Sequence, residues 1–172
     1  KVVFLIVMLN KYIKNIKITR LRKFNSSQAI KILEIRNQEN VRINMINTQM
    51  IPQKEHFVWF KNILKNKFEY FYLISIKNNI SGLLRFSKKN HEVEWSFYLK
   101  KEKQKIYGGF VEYIAINKAY RLKKISILSC KVFSHNLGVL SLHKKFGFKN
   151  KKKKKYDERI LIFLSLFKKN WN

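Results

Sequence analysis

The chain has 172 residues, which predicts one domain spanning 1–172 and large enough to bury a real core. Its single cysteine, Cys130, excludes an internal disulfide framework, and the absence of a Cys/His cluster argues against structural zinc, so we expect no metal. Lys and Arg number 38 against 10 Asp and Glu, a formal net charge of +28.

This charge attracts polyanions, so nucleic acid is a partner to weigh. However, Lys, Asn, Ile and Phe are abundant in every segment. That composition is what an AT-rich coding sequence produces, and we prefer this explanation to a basic nucleic-acid-binding module, which stays an alternative. A cofactor with several phosphates would also benefit from a basic surface. The charge therefore discriminates poorly between functions.

The first segment, Lys1–Leu9, is an apolar run too short to span a bilayer. No small-residue cleavage site follows it, so a secretory signal is not predicted. Because position 1 is not methionine, we expect the natural start at Met8, with most of residues 1–9 upstream of it. Together these features predict a cytoplasmic protein without membrane association.

Patterning in the first half predicts a strand, two helices and a hairpin. The first strand is expected over Tyr12–Phe24, and Asn25 then caps a helix with apolar residues at helical spacing. Pro52 opens a second helix with one apolar face. Two strands, Glu69–Lys77 and Ile80–Ser87, flank a tight polar turn. Gly82, inside the second of them, indicates a bulge or a close backbone approach.

The second half predicts strands that alternate with helices. A strand over His91–Lys100 precedes a glycine-bearing turn, Tyr107–Gly109, whose glycines would let a ligand approach the helix they open. The elements that follow are a strand at Ile125–Phe133, a helix at Leu137–Lys145 capped by Asn136 and ended by Gly147, a solvated lysine loop at Lys149–Tyr156 and a last strand at Arg159–Phe167. The last strand is apolar enough to be buried or to form the edge of a homodimer.

The order of strand, Asn136, short helix and Lys145–Phe148 resembles the second half of the GNAT N-acetyltransferase superfamily. The resemblance implies an α/β (α+β) fold with a mixed, mostly antiparallel central sheet, flanking helices and splayed central strands. It also implies an enzyme that transfers acetyl from acetyl-CoA directly to a primary amine.

Three segments, Arg36–Asn37, Val41–Met45 and Glu55–Phe60, sharpen this resemblance. They are similar to the nucleotide-sugar N-acetyltransferases of pseudaminic acid biosynthesis, which acetylate the 4-amino group of a UDP-linked amino-dideoxysugar. N-terminal acetyltransferases of ribosomal and other proteins share part of the pattern and form the second enzymatic alternative.

The resemblance implies a set of cofactor-binding residues. The backbone of the central strand, at Phe97, Tyr98 and Leu99, would pair with the pantetheine arm, and Asn136 would contact the same arm. The loop that cradles the pyrophosphate would include Lys103, Lys105, Tyr107, Gly108 and Gly109. This loop departs from the family pattern, because Ile106 stands where the first glycine belongs and Lys103 where Arg or Gln belongs.

The resemblance also implies catalytic and substrate-binding residues. Glu94 is expected to assist deprotonation of the amine, and His143, at the family's tyrosine position, is expected to protonate the thiolate. The expected substrate contacts are Arg36, Asn37, Met45, His56 and Trp59. The simpler alternatives are a surface carboxylate paired with lysine for Glu94, a helix-surface histidine for His143, and core packing for Met45 and Trp59.

Overall fold

The computed structural model describes residues 11–122 and 125–171, so Lys1–Leu9 and the expected start at Met8 lie outside the described residues. Its strands are β1 (Ile16–Arg20), β2 (Glu69–Ile76), β3 (Asn79–Lys89), β4 (Glu92–Leu99), β5 (Ile127–Phe133), β6 (Lys149–Tyr156) and β7 (Arg159–Phe167). Its helices are α1 (Ser26–Arg36), α2 (Glu39–Arg42), α3 (Gln53–Ile63), α4 (Lys101–Tyr120), α5 (Leu137–Lys145) and a terminal 3₁₀ turn (Lys168–Asn170).

The strands form one seven-stranded sheet in the order β1-β2-β3-β4-β5-β7-β6. β1–β2, β5–β7 and β6–β7 are antiparallel, whereas β4 and β5 are parallel. Two-residue turns, which connect antiparallel neighbours, join β2 to β3 and β3 to β4. The predicted fold class is therefore confirmed.

Local sequence signals account for several of these boundaries. The Asn25 side chain accepts a hydrogen bond from the Gln28 backbone N–H at 2.9 Å and so caps α1. Gly147, just after α5, has φ +87°. Glycine adopts this left-handed conformation without a steric clash and so ends the helix. The β2–β3 turn uses left-handed Lys77 and Asn78, one position earlier than predicted.

Two strand predictions were wrong. Residues 11–13 are helical, and the first strand is confined to Ile16–Arg20, which pairs with β2 over five residues. Lys149–Tyr156 is not a loop but the edge strand β6, with all eight residues exposed. An edge strand leaves its side chains in water on both faces, so repulsion between lysines is screened. β7 is consequently interior and is not a dimer edge, and the homodimer itself stays a prediction.

The predicted turn at Tyr107–Gly109 was also wrong, because α4 begins at Lys101 and runs through it. The residues before Gly108 are mostly Lys, Gln and Glu, which favour helix. Buried residues at helical spacing along α4 stabilise it by packing: Tyr107, Val111, Ala115, Ile116 and Ala119. These contributions outweigh the cost of two interior glycines, about 1 kcal/mol each.

Replacing Gly108 with alanine tests this correction. An added Cβ meets nothing within 4 Å outside the helix's own backbone. We expect Gly108→Ala to raise the free energy of unfolding by about 0.5–1 kcal/mol, because alanine is the better helix former. Urea denaturation followed by circular dichroism measures the change. A loss of stability would instead indicate a left-handed turn at this position.

The chain forms two compact units, one from Lys1–Arg85, as far as it is described, with Phe97–Ile114, and one from Phe86–Ser96 with Ala115–Asn172. The boundaries cut β3, β4 and α4, and the single domain over residues 1–172 stays a prediction. The first core contains Leu21, Ala29, Ile32, Phe60, Phe71, Leu73 and Leu83. In the second unit, the Tyr120 hydroxyl donates to the Leu166 carbonyl at 2.8 Å, and the Cys130 thiol is buried. No helix in the described ranges is long and apolar enough to cross a membrane.

Gly82 makes the close backbone approach that the sequence indicated. A Cβ at this position would lie 2.1 Å from the Tyr98 carbonyl oxygen on the neighbouring strand β4. Only glycine therefore lets β3 and β4 adopt this spacing. This contact fixes how closely the Tyr98 backbone lies to β3. Tyr98 is one of the residues predicted to bind the cofactor.

Candidate active site

The parallel pairing of β4 with β5 is short. It joins Glu92 to Ile127, Val93 to Leu128 and Glu94 to Ser129, while β4 continues to Leu99. A parallel pair that ends early leaves backbone donors and acceptors of the later β4 residues available to an added extended chain. This geometry agrees with the splayed central strands of the predicted fold.

Glu94 lies at the end of this pairing. Its carboxylate forms an ion pair with the Lys131 ammonium at 2.6 Å, and both side chains are partly exposed, at 35% and 37%. Glu94 also lines a cavity of about 510 Å³ together with Ser87, His91, Glu92 and other residues. The cavity therefore holds two carboxylates, Glu92 and Glu94, together with the ammonium group of Lys89.

His143 is buried rather than on the helix surface, with 3% of its surface exposed. Its ring centroid lies 5.6 Å from that of Trp95 and 5.1 Å from that of Phe148. The imidazole thus packs among aromatic rings on the inner side of α5. Its predicted role as a proton donor stays a prediction.

Asn136 caps α5, as the sequence indicated. Its side-chain oxygen accepts from the Val139 backbone N–H at 3.4 Å, and its own N–H donates to the Phe133 carbonyl at 3.0 Å. Because the oxygen is used by the helix, the side-chain N–H₂ carries the donors that a ligand could accept from.

Of the residues predicted for the pyrophosphate loop, Lys103 lies in the first turn of α4 and Lys105 directly follows it. The Lys101 N–H donates to the Gln38 side-chain oxygen at 3.3 Å, and the Gln104 side chain donates to the Leu99 carbonyl at 2.9 Å. A cavity of about 410 Å³ adjoins this turn, lined by Gln38, Glu39, Asn40, Ile43 and Lys101. Lys103 is half-buried and Lys105 exposed. A helix N-terminus flanked by lysines attracts phosphate groups.

The remaining residues of the predicted loop lie inside α4. Tyr107 is 5% exposed and packs edge-on against Tyr12, with centroids 5.8 Å apart. Gly108 and Gly109 lie in the middle of α4, where backbone N–H groups bond within the helix. The anion-binding end of this helix is therefore about seven residues earlier than the sequence indicated.

Arg36 ends α1, and its guanidinium contacts the segment that follows α2. Its Nη2 donates to the Asn47 carbonyl at 2.7 Å, while its buried Nη1 has no hydrogen-bond partner among the described residues. Burial lowers the pKa of Arg36, and the neighbouring Arg42 lowers it further, whereas Tyr98 acts in the opposite sense. Burial also raises the pKa of the Tyr98 phenol against the effect of Arg36.

His56 lies in the same electrostatic neighbourhood. It is 2% exposed, and burial lowers its pKa more than a hydrogen bond to the Ala29 backbone raises it; Arg36 adds a further lowering. Its Nε2 is buried and has no hydrogen-bond partner in the described part of the chain. Arg36 Nη1 and His56 Nε2 both lack a partner among the described residues, and their burial carries a desolvation cost. A bound acceptor would relieve this cost at Arg36 Nη1. At His56 Nε2 a bound hydroxyl donor would relieve it, because the hydrogen bond to the Ala29 backbone uses the other ring nitrogen and leaves Nε2 of the neutral ring as an acceptor.

The other predicted substrate residues differ in what they can contact. Trp59 is 38% exposed and stacks on His56, with centroids 5.1 Å apart. Asn37 uses both ends of its amide on the Ile51 backbone, at 3.0 and 2.9 Å, so it fastens the segment before α3. Met45 is half-buried in the segment after α2. The structure therefore groups Arg36 and His56 with Trp59 and gives Asn37 a structural role.

The family model for the acetyltransferase (GNAT) domain matches residues 21–159, most of the chain. The chain belongs to the GNAT family. A comparison with curated proteins gives no match.

Solved structures of GNAT enzymes share this fold. The Campylobacter jejuni N-acetyltransferase PseH is 19% identical, with a TM-score of 0.69, covering 90% of this chain and 99% of PseH, and it is also known in complex with acetyl coenzyme A. Vibrio cholerae spermidine N-acetyltransferase is 12% identical, with a TM-score of 0.79, covering 91% and 98%. RimL, a ribosomal L7/L12 alpha-N-protein acetyltransferase, is 14% identical, with a TM-score of 0.75, covering 89% and 94%.

This GNAT protein is thus an N-acetyltransferase that uses acetyl-CoA. The early end of the β4–β5 pairing and the lysine-flanked start of α4 fit that cofactor. No cluster of three or more metal-ligating side chains occurs within residues 11–122 and 125–171. Sequence reasoning missed the side chain of Tyr98 and the cation Lys131, because only the folded chain shows which lysine faces Glu94 and which phenol faces Arg36.

The lowered pKa of His56 predicts how stability depends on pH. The unfolded chain binds a proton near the ordinary histidine pKa of about 6.5, whereas the folded chain resists protonation. We therefore expect His56 to contribute to the free energy of unfolding above pH ~6.5. This contribution should be lost as the pH falls toward the lower pKa that His56 has in the folded chain. His56→Phe should flatten the dependence of urea midpoints between pH 7 and 5. His135→Asn, at an exposed histidine, should leave it unchanged.

Proposed function

We propose that this enzyme acetylates the 4-amino group of a UDP-linked amino-dideoxysugar in pseudaminic acid biosynthesis. The observation that carries the proposal is a pair of buried side-chain nitrogens, Arg36 Nη1 and His56 Nε2. Neither has a hydrogen-bond partner among the described residues. A guanidinium suits a diphosphate, and the Nε2 of the neutral His56 imidazole can accept a hydrogen bond from a hydroxyl group. The partly exposed Trp59 offers a flat surface to a uracil ring or a deoxysugar methyl group. The N-acetyltransferase PseH shares this fold over 99% of its own chain, at 19% identity.

The proposed contacts with acetyl-CoA take into account that α4 begins at Lys101. The β4 backbone at Phe97, Tyr98 and Leu99 would pair with the arm, and Asn136 would donate from its side-chain nitrogen. The first turn of α4, with Lys103 and Lys105, would hold the pyrophosphate in place of Gly108 and Gly109, whose N–H groups lie inside the helix.

In the proposed mechanism, acetyl-CoA supplies the activated acetyl group. Glu94 would accept the proton that the acceptor ammonium must lose, and Lys131 would hold the carboxylate oxygen in place. His143 is the proposed donor of the proton that the leaving sulfur takes up. No covalent enzyme intermediate is required, and buried Cys130 plays no part.

His143→Phe separates the chemistry of this side chain from its packing. Phenylalanine preserves the aromatic contacts with Trp95 and Phe148 but carries no proton. We expect turnover to fall about 10²-fold, while KM for acetyl-CoA changes little. Steady-state thiol release provides both values. Unchanged kcat would remove His143 from the mechanism and leave it as a core residue.

A protein N-terminal acetyltransferase is the alternative that one observation favours. The 510 Å³ cavity carries Glu92 and Glu94 besides Lys89, and a carboxylate suits a cationic peptide terminus. RimL, which has this fold, is such an enzyme by its name. The two acceptors differ in charge, since a UDP-sugar brings a diphosphate that needs a cation such as Arg36, whereas a peptide does not.

Thiol release from acetyl-CoA tests the proposal, with the UDP-linked 4-amino sugar and short peptides carrying free N-termini as acceptors. We expect release with the sugar, and Arg36→Met should raise KM for the sugar at least tenfold because a diphosphate contact is lost. Lys54→Met, at an exposed cation elsewhere, is the control. Release with peptides alone would replace the sugar by a protein acceptor, and release with neither would refute both.

A further inference from the structure

The outer face of the β5–β7–β6 segment combines cations with aromatic rings. Lys131 and Lys152 are the cross-strand neighbours of Phe163, so these three side chains lie on one face in one row. Their ammonium groups lie 5.7 and 4.8 Å from the Phe163 ring centroid. Lys151, at a bulge in β6, places its ammonium 4.6 Å from the centroid of Phe167.

We call this surface the lysine–aromatic face and define it by Lys151, Lys152, Lys154, Phe163 and Phe167; Lys131 lies beside Phe163 but is paired with Glu94. On the opposite face of β5 and β7 the side chains are buried, as at Leu128, Cys130 and Leu164. Phe163 and Phe167 are half-buried, Leu161 and Ser165 on the same face of β7 are buried, and every residue of β6 is exposed. The lysine–aromatic face therefore presents two partly exposed rings beside a row of exposed lysines.

Lysine-rich edge strands have a simpler explanation, since they prevent edge-to-edge aggregation. That explanation accounts for charge along β6 but not for aromatic rings on the neighbouring interior strand. A partly exposed strand position needs no phenylalanine, and two occur here, four residues apart or about 13 Å along β7. The cation–π contacts keep the rings covered by mobile lysine side chains that a ligand can displace.

We propose that the lysine–aromatic face binds single-stranded nucleic acid. Lysines neutralise the phosphates, and the rings stack on unpaired bases, a combination that accepts any sequence. An acidic polypeptide would use the lysines but would leave the rings without a partner. A duplex keeps its bases inside the stack and would likewise use only the charges. The proposal does not depend on which amine the enzyme acetylates.

Fluorescence anisotropy with a labelled single-stranded uridine oligonucleotide of about 16 residues, titrated at several salt concentrations, tests this proposal. We expect affinity to fall as salt rises and Phe163→Leu to weaken binding about fivefold or more, because the ring's stacking surface is lost while its apolar volume is kept. Phe68→Leu, at a ring that is 70% exposed in another segment, is the matched control and should bind as the parent does.

A second pair of variants separates this face from the overall charge. The double variant Lys152→Gln/Lys154→Gln should weaken binding and lower the slope of log affinity against log salt concentration by about 1.4. The double variant Lys65→Gln/Lys67→Gln removes equal charge from another exposed segment. It should change neither the affinity nor the slope. Thermal midpoints and acetyl-CoA-dependent turnover establish that each variant is folded. Equal losses from both lysine pairs, an unchanged Phe163→Leu, or equally tight binding of a poly-glutamate peptide of the same charge would each overturn the proposal.

Discussion

Replacing Gly82 with alanine is expected to lower the free energy of unfolding by about 3 kcal/mol. The new Cβ would lie 2.1 Å from the Tyr98 carbonyl oxygen, 3.1 Å from its carbon and 2.8 Å from Leu99 Cδ2. Two of these three atoms belong to the backbone, so no rotamer change relieves the clash and β3 must move away from β4. Urea denaturation followed by circular dichroism measures the loss.

The same variant should also affect the proposed cofactor site. Because β4 would be displaced at Tyr98 and Leu99, we expect KM for acetyl-CoA to rise as stability falls. Gly138→Ala is the matched control, since this exposed position in α5 has nothing within 4 Å of a new Cβ. It should be neutral or stabilising by up to about 1 kcal/mol. A Gly82→Ala protein as stable as the parent would show that β3 and β4 do not approach this closely.

Sequence patterns predicted best where one local rule acts alone. Asn136 followed by apolar residues and then Gly147 gave both ends of α5, and unbroken apolar character gave β7 its bounds. Gly82 inside a strand pattern correctly indicated a backbone contact, although nothing in the sequence says that the partner is Tyr98.

The failures occurred where two rules compete. Lys149–Tyr156 has the charge of a solvated loop, but its backbone pairs with β7, and tertiary pairing overrides side-chain preference. Gly108 and Gly109 have the composition of a turn, but buried neighbours such as Val111 and Ala115 favour a continuous helix. In both cases the deciding interaction is backbone pairing or burial in the folded chain, which the composition of the segment itself does not show.

The candidate site was predictable as a set of residue types but not as an arrangement. Arg36, His56 and Glu94 were predicted as site residues, but only the structure shows which groups surround them. Burial leaves polar atoms of Arg36 and His56 without described partners, and Lys131 reaches Glu94 from the neighbouring strand. Such pairings depend on strand register, which the hydrophobic pattern alone does not give for residues on the polar face.

Glu94→Gln is expected to lower kcat by about 10²- to 10⁴-fold, the usual contribution of a positioned general base. Glutamine retains the size of the side chain but cannot accept a proton from the acceptor ammonium. Loss of the ion pair with Lys131 should cost about 1 kcal/mol of stability or less, because both side chains are partly exposed. Thiol release measured with saturating acetyl-CoA and acceptor gives kcat directly.

Glu92→Gln makes this experiment specific. Glu92 lies two residues earlier on the same strand, lines the same cavity and contacts the Ser129 hydroxyl, so its replacement removes equal charge from the same surface. If Glu94 is the base, Glu92→Gln keeps kcat within about twofold while Glu94→Gln does not. Equal, small losses in both variants would mean that the carboxylates only attract the cationic acceptor. The ammonium would then lose its proton to water, and the enzyme would depend on pH as the free amine does.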